Sequence, residues 1–323
     1  MSAPVLIVAG PTASGKSGVA LRLAERLAAV IVNADSMQVY RELRVLTVRP
    51  TPEATAKVPH RLYGIMPAAE ACSAGRWREM ALAEIAAAHG QGRLPILVGG
   101  SGLYIKALVD GLIELPPVLP SLRTEARARY QRLGAAGFHA ALAARDPATA
   151  GTLRLTDRQR LLRAWEVLEY TGRPLAEWQS RATLGPPAHL RFAAILLAPP
   201  RAELFAACDR RFEAMMAEGA LEEAEALLAL ALDPQLPAMK AVGVAELARH
   251  LSGEIALAEA VALAQQSTRR FAKRQLTWFR HQPLAAKVLL VGDPISAQFS
   301  ESFEARIFNF IDDSLLTGGA ASV

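Results

Sequence analysis

"GPTASGKS", Gly10 to Ser17, fits the pattern G-x-x-x-x-G-K-[ST] and follows a short apolar run, Val5 to Ala9. A strand that enters a glycine-rich turn and leaves as a helix is the setting in which this pattern wraps a phosphate. The helix is signalled by Ala20, Leu23, Ala24 and Leu27, spaced along one face. The glycines let the backbone bend around an anion, and amides at a helix start favour negative charge. Gly10, Pro11, Thr12, Ala13, Ser14, Gly15, Lys16 and Ser17 are therefore expected to cradle a polyphosphate. Lys16 would reach its oxygens and Ser17 would take Mg2+. The motif does not say what the phosphate carries.

Outward from this turn, short apolar runs alternate with helical periodicity, the pattern of a parallel sheet flanked by helices. Val30 to Val32 reads as a second strand ending at "NADS", and Leu94 to Val98 as a third entering "GGSG". "RFAAILLAPP" from Arg191 and "KVLLVG" from Lys287 read as later strands. Proline-rich stretches at 114–121 and 184–189 enclose a segment without strand pattern, which reads as helices over Ser121–Leu133, Gly137–Ala144 and Asp157–Tyr170. The expected fold is α/β: a P-loop NTPase-like parallel sheet flanked by helices, with an inserted all-helical domain. The expected division is a core at 1–115, a helical insertion at 116–188, a second core part at 189–300 and a partly disordered tail at 301–323.

The chain has 323 residues, 52% of them hydrophobic and 21% charged, enough apolar material for a packed core. Its net charge of +5 leans toward an anionic partner such as nucleic acid, although only six of the 36 basic residues are lysine. An Ala- and Arg-rich composition would give the same total, so distribution is the better test. Between Arg123 and Arg163 nine arginines face only Glu125, Asp146 and Asp157, and such a local surplus favours a binding face. Cys72 and Cys208 form no C-x-x-C pair and the histidines are scattered, which argues against a zinc or iron–sulfur site. No basic residue precedes the apolar N-terminus and no apolar run reaches membrane-spanning length, so the chain reads as cytoplasmic.

Three further places carry chemistry. Asp35, at the end of the second strand, is a metal-binding carboxylate, a general base, or the N-cap of a helix over "SMQVYREL". Ser101 offers a hydroxyl in a glycine turn that any tight strand-to-helix connection would need. "STRRFAKRQLTWFRHQ", Ser267 to Gln282, holds five basic residues and no acidic one. There Phe271, Ala272, Leu276 and Phe279 form an apolar stripe, with Arg269, Lys273 and Arg280 on the opposite side. That distribution favours contact with a phosphate backbone over a merely solvated face.

Together with "NADSMQVYREL", "GGSGLYIKAL", "DRQRLLRAWEVLEYTG", "RRFEAMMAEGALEEA" and "AVGVAEL", these stretches resemble the tRNA dimethylallyltransferase (tRNA isopentenyltransferase) family from residue 5 to about 282. The resemblance implies transfer of a dimethylallyl group from dimethylallyl diphosphate to the exocyclic N6 amine of the adenosine immediately 3′ of a tRNA anticodon. By the same match, Asp35 would accept the amine proton and Ser101 would stand near the reaction centre. Arg211 would steady the diphosphate with Lys16. The tRNA anticodon stem-loop would meet Asp35, Ser36, Met37, Gln38, Ser101 and Arg123, and the run Gln159, Arg160, Leu161, Leu162 and Arg163. It would also meet Lys240, Ala241, Val242, Gly243, Val244 and Ala245, and then Lys273, Arg274, Gln275, Leu276, Thr277, Trp278, Phe279 and Arg280. The chain is expected to act as a monomer with no membrane contact. This chain departs from the family at Leu46-Thr47-Val48-Arg49-Pro50, where Gly-Thr-Ala-Lys-Pro is usual, and at Val244, where tyrosine is frequent. Rival readings are a shikimate-type ATP kinase, a non-catalytic RNA-binding P-loop protein, and an enzyme that prenylates free adenine nucleotides.

Overall fold

The structure is a computed structural model that describes residues 2–113, 118–179, 185, 187–282 and 284–316. The five apolar runs become strands: β1 (Ala3–Ala9), β2 (Val30–Asn33), β4 (Pro95–Gly99), β5 (Leu190–Leu197) and β6 (Lys287–Val291). A sixth, β3 (His60–Arg61), is too short to leave a periodic signal. All pair in parallel, in the order β3-β2-β4-β1-β5-β6. Every residue from Val5 to Ala9 is fully buried, because helices cover both faces of the sheet. Val5, Ile7 and Ala9 face one core with Trp77, Ile105 and Phe212, while Leu6 and Val8 face another with Val19 and Leu23.

The helices are α1 (Lys16–Arg26), α2 (Pro52–Lys57), α3 (Ala74–Gly90), α4 (Gly102–Val109), α5 (Pro120–Ala143), α6 (Pro147–Thr152) and α7 (Arg158–Thr171). They continue with α8 (Leu175–Gln179), α9 (Arg201–Ala217), α10 (Ala220–Ala229), α11 (Val244–Leu251), α12 (Leu257–His281) and α13 (Glu301–Ile311). The chain divides into two compact units, one of residues 1–110 and 186–323, the other Gly111–Gly185. Among its described residues the second unit is built of helices, and it has its own core of Phe138, Leu142, Leu161, Trp165 and Leu168. Within α5 the backbone leaves helical geometry at Gly134 (φ 66°, ψ 178°), which gives the two shorter helices that the sequence pattern suggests.

Two expectations change. No helix forms over "SMQVYREL": Asp35 caps a tight turn instead, its Oδ1 accepting the Met37 N–H at 2.9 Å. The tail expected to be partly disordered begins as α13. Phe303, Ile307 and Ile311 recur every four residues and pack beside α1, and Glu304 bridges Arg22 and Arg26 at 2.6 and 2.7 Å. Residues 317–323, with the "GGAASV" end, and residues 114–117, 180–184 and 186 of the proline-rich stretches lie outside the described residues. Among the described residues no helix is long and apolar enough to cross a membrane.

Candidate active site

The turn after β1 has the geometry that its glycines permit. Gly15 takes φ +85°, and Ala13 takes φ +61°, a conformation that costs a non-glycine residue energy. A Cβ on Gly10 would lie 2.6 Å from Ser14 Oγ and 2.8 Å from the Leu197 carbonyl, so only glycine fits there. Ser14 is wholly buried and its Oγ has no protein partner, a donor held ready in a loop built for an anion. Lys16 is nearly buried, with Nζ donating to the Pro11 carbonyl at 3.1 Å. Burial pushes its pKa down to about 8; the Asp35 carboxylate opposes that shift and the Arg211 guanidinium adds to it.

Asp35 and Arg211 meet at the same place. Burial also lowers the pKa of Arg211, again against the pull of Asp35. Arg211, on α9, donates to the Thr47 carbonyl at 3.0 Å, and Gln38 Nε2 donates to the same oxygen at 2.8 Å. The Glu223 carboxylate holds the preceding turn by accepting the N–H groups of Arg44, Val45 and Leu46 at 2.7, 2.7 and 2.8 Å. Arg49, in the stretch that departs from the family, turns away to brace this loop. It donates to the Arg41 carbonyl at 2.9 Å and lies over Gly64, which takes φ +61°.

The backbone of Asp35 is set by Asn33, which the sequence reading passes over. Asn33 is fully buried; its Oδ1 accepts the Asp35 N–H at 2.8 Å, and its Nδ2 donates to the carbonyls of Asp35 and Leu62, each at 3.0 Å. Ser101 Oγ accepts the Ser36 N–H at 2.8 Å and donates to Ser36 Oγ at 3.0 Å. "GGSG" is more than a tight turn, because it joins the ends of β1 and β2. A Cβ on Gly99 would fall 2.0 Å from the Ala34 carbonyl oxygen, and one on Gly100 would be 3.0 Å from the Gly10 carbonyl and 2.2 Å from Gln275 Nε2. The carboxyl ends of three neighbouring strands thus bring the anion turn, the carboxylate and the serine together, where ligands of open α/β sheets bind.

Helix α12 closes the site with a residue that the family resemblance places against tRNA. Gln275 lies on the buried face with Ala272 and Phe279, its Oε1 accepting the Thr12 N–H at 2.8 Å and its Nε2 donating to the Gly100 carbonyl at 2.9 Å. Gln275 and Phe279 therefore do not offer side chains to an outside partner. Arg269 is spent within the fold, ion-paired to Asp209 on α9. Exposed on the other side, Arg270, Lys273, Arg274 and Thr277 line an open groove with Trp278, whose ring lies against Gly102. Thr277 returns its own hydroxyl to the Lys273 carbonyl at 3.0 Å, and Arg280 is exposed at the helix end, while Leu276 is half-buried.

The remaining tRNA assignments divide in the same way. Leu161, Ala241 and Val244 are core residues, and Gly243 takes φ +98° against Phe212 and Leu46. Of the 240–245 run, Lys240 and Ala245 are exposed and Val242 is half-buried. In the helical unit, Arg123, Gln159 and Arg160 are exposed and Leu162 is half-buried. The arginine surplus there is partly structural: Arg129 and Arg145 stack on Trp165, Arg158 stacks on Tyr130, and Arg163 pairs with Glu166 at 3.5 Å.

Known proteins bear on this arrangement. The model of the IPP transferase family matches residues 38–282. A tRNA dimethylallyltransferase of Rhodospirillum centenum is 57% identical over 290 residues, 90% of this chain and 92% of that protein. One of Rhodospirillum rubrum is 52% identical over 99% of this chain and 97% of that protein. Among solved structures, a tRNA isopentenylpyrophosphate transferase of Bacillus halodurans superposes with a TM-score of 0.68 at 30% identity, covering 98% of both chains. A eukaryotic dimethylallyltransferase acting on tRNA reaches a TM-score of 0.79 at 22% identity, covering 97% of this chain and 80% of that one, a likeness of fold alone. The matched family spans three quarters of the sequence and contains Arg211, the "GGSG" turn and the basic helix: this chain belongs to the IPP transferase family.

Proposed function

We propose that this enzyme transfers a dimethylallyl group from dimethylallyl diphosphate to the N6 amine of the adenosine immediately 3′ of the anticodon in tRNA. The observation that carries this reading is one carboxylate, Asp35, close enough to Lys16 of the anion turn and to Arg211 of α9 to oppose the loss of charge that burial imposes on both. An aromatic amine is a weak nucleophile, so breaking the allylic carbon–oxygen bond is the step that needs help. The turn's amides, Lys16 and Arg211 stabilise the charge that gathers on the departing diphosphate. As the new nitrogen–carbon bond forms, Asp35 takes the amine proton. Ser101, bonded to both the N–H and the hydroxyl of Ser36, holds the turn that carries Asp35.

Mg2+ fits this site through Ser17, which is exposed in the first turn of α1. Among the described residues no cluster of three His, Cys, Asp or Glu side chains could hold a metal. The ion would instead rest on the Ser17 hydroxyl, diphosphate oxygens and water, its usual company. When bound it would further neutralise the leaving group.

In the sheet unit the groove of Arg270, Lys273, Arg274 and Trp278 supplies cations for the tRNA backbone without reading sequence; in the helical unit, taken by itself, Arg123 and Arg160 are exposed cations of the same kind. A stacked adenine cannot reach a centre behind these turns, so the base must leave its stack to react. The test is to incubate the enzyme with undermodified tRNA, Mg2+ and dimethylallyl diphosphate. One adenosine next to the anticodon should gain the mass of one dimethylallyl group. ATP turnover with unmodified tRNA would sink the proposal.

A further inference from the structure

The family match ends at residue 282, yet the chain beyond it returns to the anion turn. After β6 a single helical turn, Ile295–Ala297, delivers Gln298 and Phe299 onto the start of α1. Gln298 is 1% exposed, and its Nε2 donates to the Ser14 carbonyl at 2.9 Å. Its Oε1 lies over Gly15, where a Cβ would come within 2.0 Å. The flipped amide would set two oxygens against each other, so the Ser14 carbonyl fixes the orientation. The segment is anchored on both sides. Glu203 of α9 accepts the Ile295 N–H at 2.8 Å, and Phe299 covers Gly18 beneath the Arg22 guanidinium, 5.5 Å from its ring centre.

The consequence follows from peptide geometry. A trans peptide points its C=O and N–H in opposite directions, so holding the Ser14 carbonyl outward aims the Gly15 N–H at the cradle. Among the described residues that N–H has no protein partner, whereas the Thr12 N–H is already spent on Gln275. This peptide also lies between the two left-handed residues of the turn, Ala13 and Gly15, where the backbone needs outside support to stay put. We infer that Gln298 is a positioning residue for the diphosphate: it presets the Ser14–Gly15 peptide so that the Gly15 N–H meets the leaving group. The inference deepens the proposed transfer reaction and rests on it for the identity of the anion.

The test compares the parent with Gln298→Leu, which keeps the volume and removes the donor, and Gln298→Glu, which adds a negative charge beside the cradle. Calorimetry with inorganic diphosphate and steady-state kinetics with saturating tRNA supply the readouts. In the leucine variant, the diphosphate Kd and the KM for dimethylallyl diphosphate should rise about tenfold, kcat/KM for dimethylallyl diphosphate should fall at least as far, and the KM for tRNA should stay within about twofold. The glutamate variant should lose more, and it stands in if the leucine variant does not fold. Unchanged diphosphate affinity in a folded variant overturns the inference. So does a parallel fall of kcat and folded fraction with KM intact, the mark of a merely structural role. A parent that binds diphosphate but leaves tRNA unmodified defeats the transfer reading alone, since the variants are still judged by diphosphate affinity. A parent that binds no diphosphate defeats both.

Discussion

Lys16 stays charged at neutral pH inside a site that penalises the charge, and two opposite pH effects follow. Its pKa falls from 10.5 to about 8 on folding, so between these values the unfolded chain holds the extra proton and stability rises with pH. Below pH 8 the full penalty, on the order of 3 kcal/mol, is present. Lys16→Met should therefore melt at a higher temperature than the parent at pH 7, the gap closing between pH 8 and 10.5. Melting at or below the parent's temperature would contradict this. Binding runs the other way: kcat/KM for dimethylallyl diphosphate should fall as pH rises past 8 and the free enzyme loses this cation. Asp35→Asn keeps the shape and removes the base, so kcat should drop by about 10²–10⁴-fold with tRNA affinity unchanged. A rate within threefold of the parent would end its role as base. Lys16 is legible in the sequence because its neighbours are contiguous. Asn33 and Gln298 are not, nor is the inward role of Gln275, because what makes them matter is a backbone group reached only through the tertiary fold.

At the scale of the element, α12 shows how a helix can be recognised and still be misassigned in part. Its charge run is plain in the sequence, and the groove of Arg270, Lys273, Arg274 and Trp278 lies on it as the run suggests. Which residues face inward is set by partners on other elements: a glutamine takes a core position because two backbone groups are waiting for it there. Replacing Lys273 and Arg274 with glutamine should weaken tRNA binding and lower the slope of log K against log salt by about two. A slope equal to the parent's would remove these two from the interface. The "GGSG" turn makes a different prediction. Gly99→Ala would press a methyl group into the Ala34 backbone, and destabilisation of about 3 kcal/mol is expected in urea unfolding. A loss below 1 kcal/mol would mean that the turn is free to move.

For the whole molecule, alternation of apolar runs with helical stripes was enough to give the parallel sheet, because a sheet covered on both faces needs continuous apolar strands. Strand order was not legible, since nothing local in β1 says which runs will flank it. The helix at 301–311 follows the last matched motif; its apolar positions Phe303, Ile307, Phe310 and Ile311 fit a helical stripe, so its signal is present in the sequence and absent only from the family pattern. The strand order carries a consequence for biosynthesis. β1 emerges first yet sits between β4 and β5, and β5 begins only at Leu190. At roughly 5–20 residues per second, the wait for this second neighbour is about 10–35 s. Throughout that interval the ribosome-bound chain carries an apolar strand with at least one edge unpaired, and with both unpaired until β4 has emerged. Nascent chains arrested before Leu190 should recruit a chaperone that chains arrested after the last strand do not.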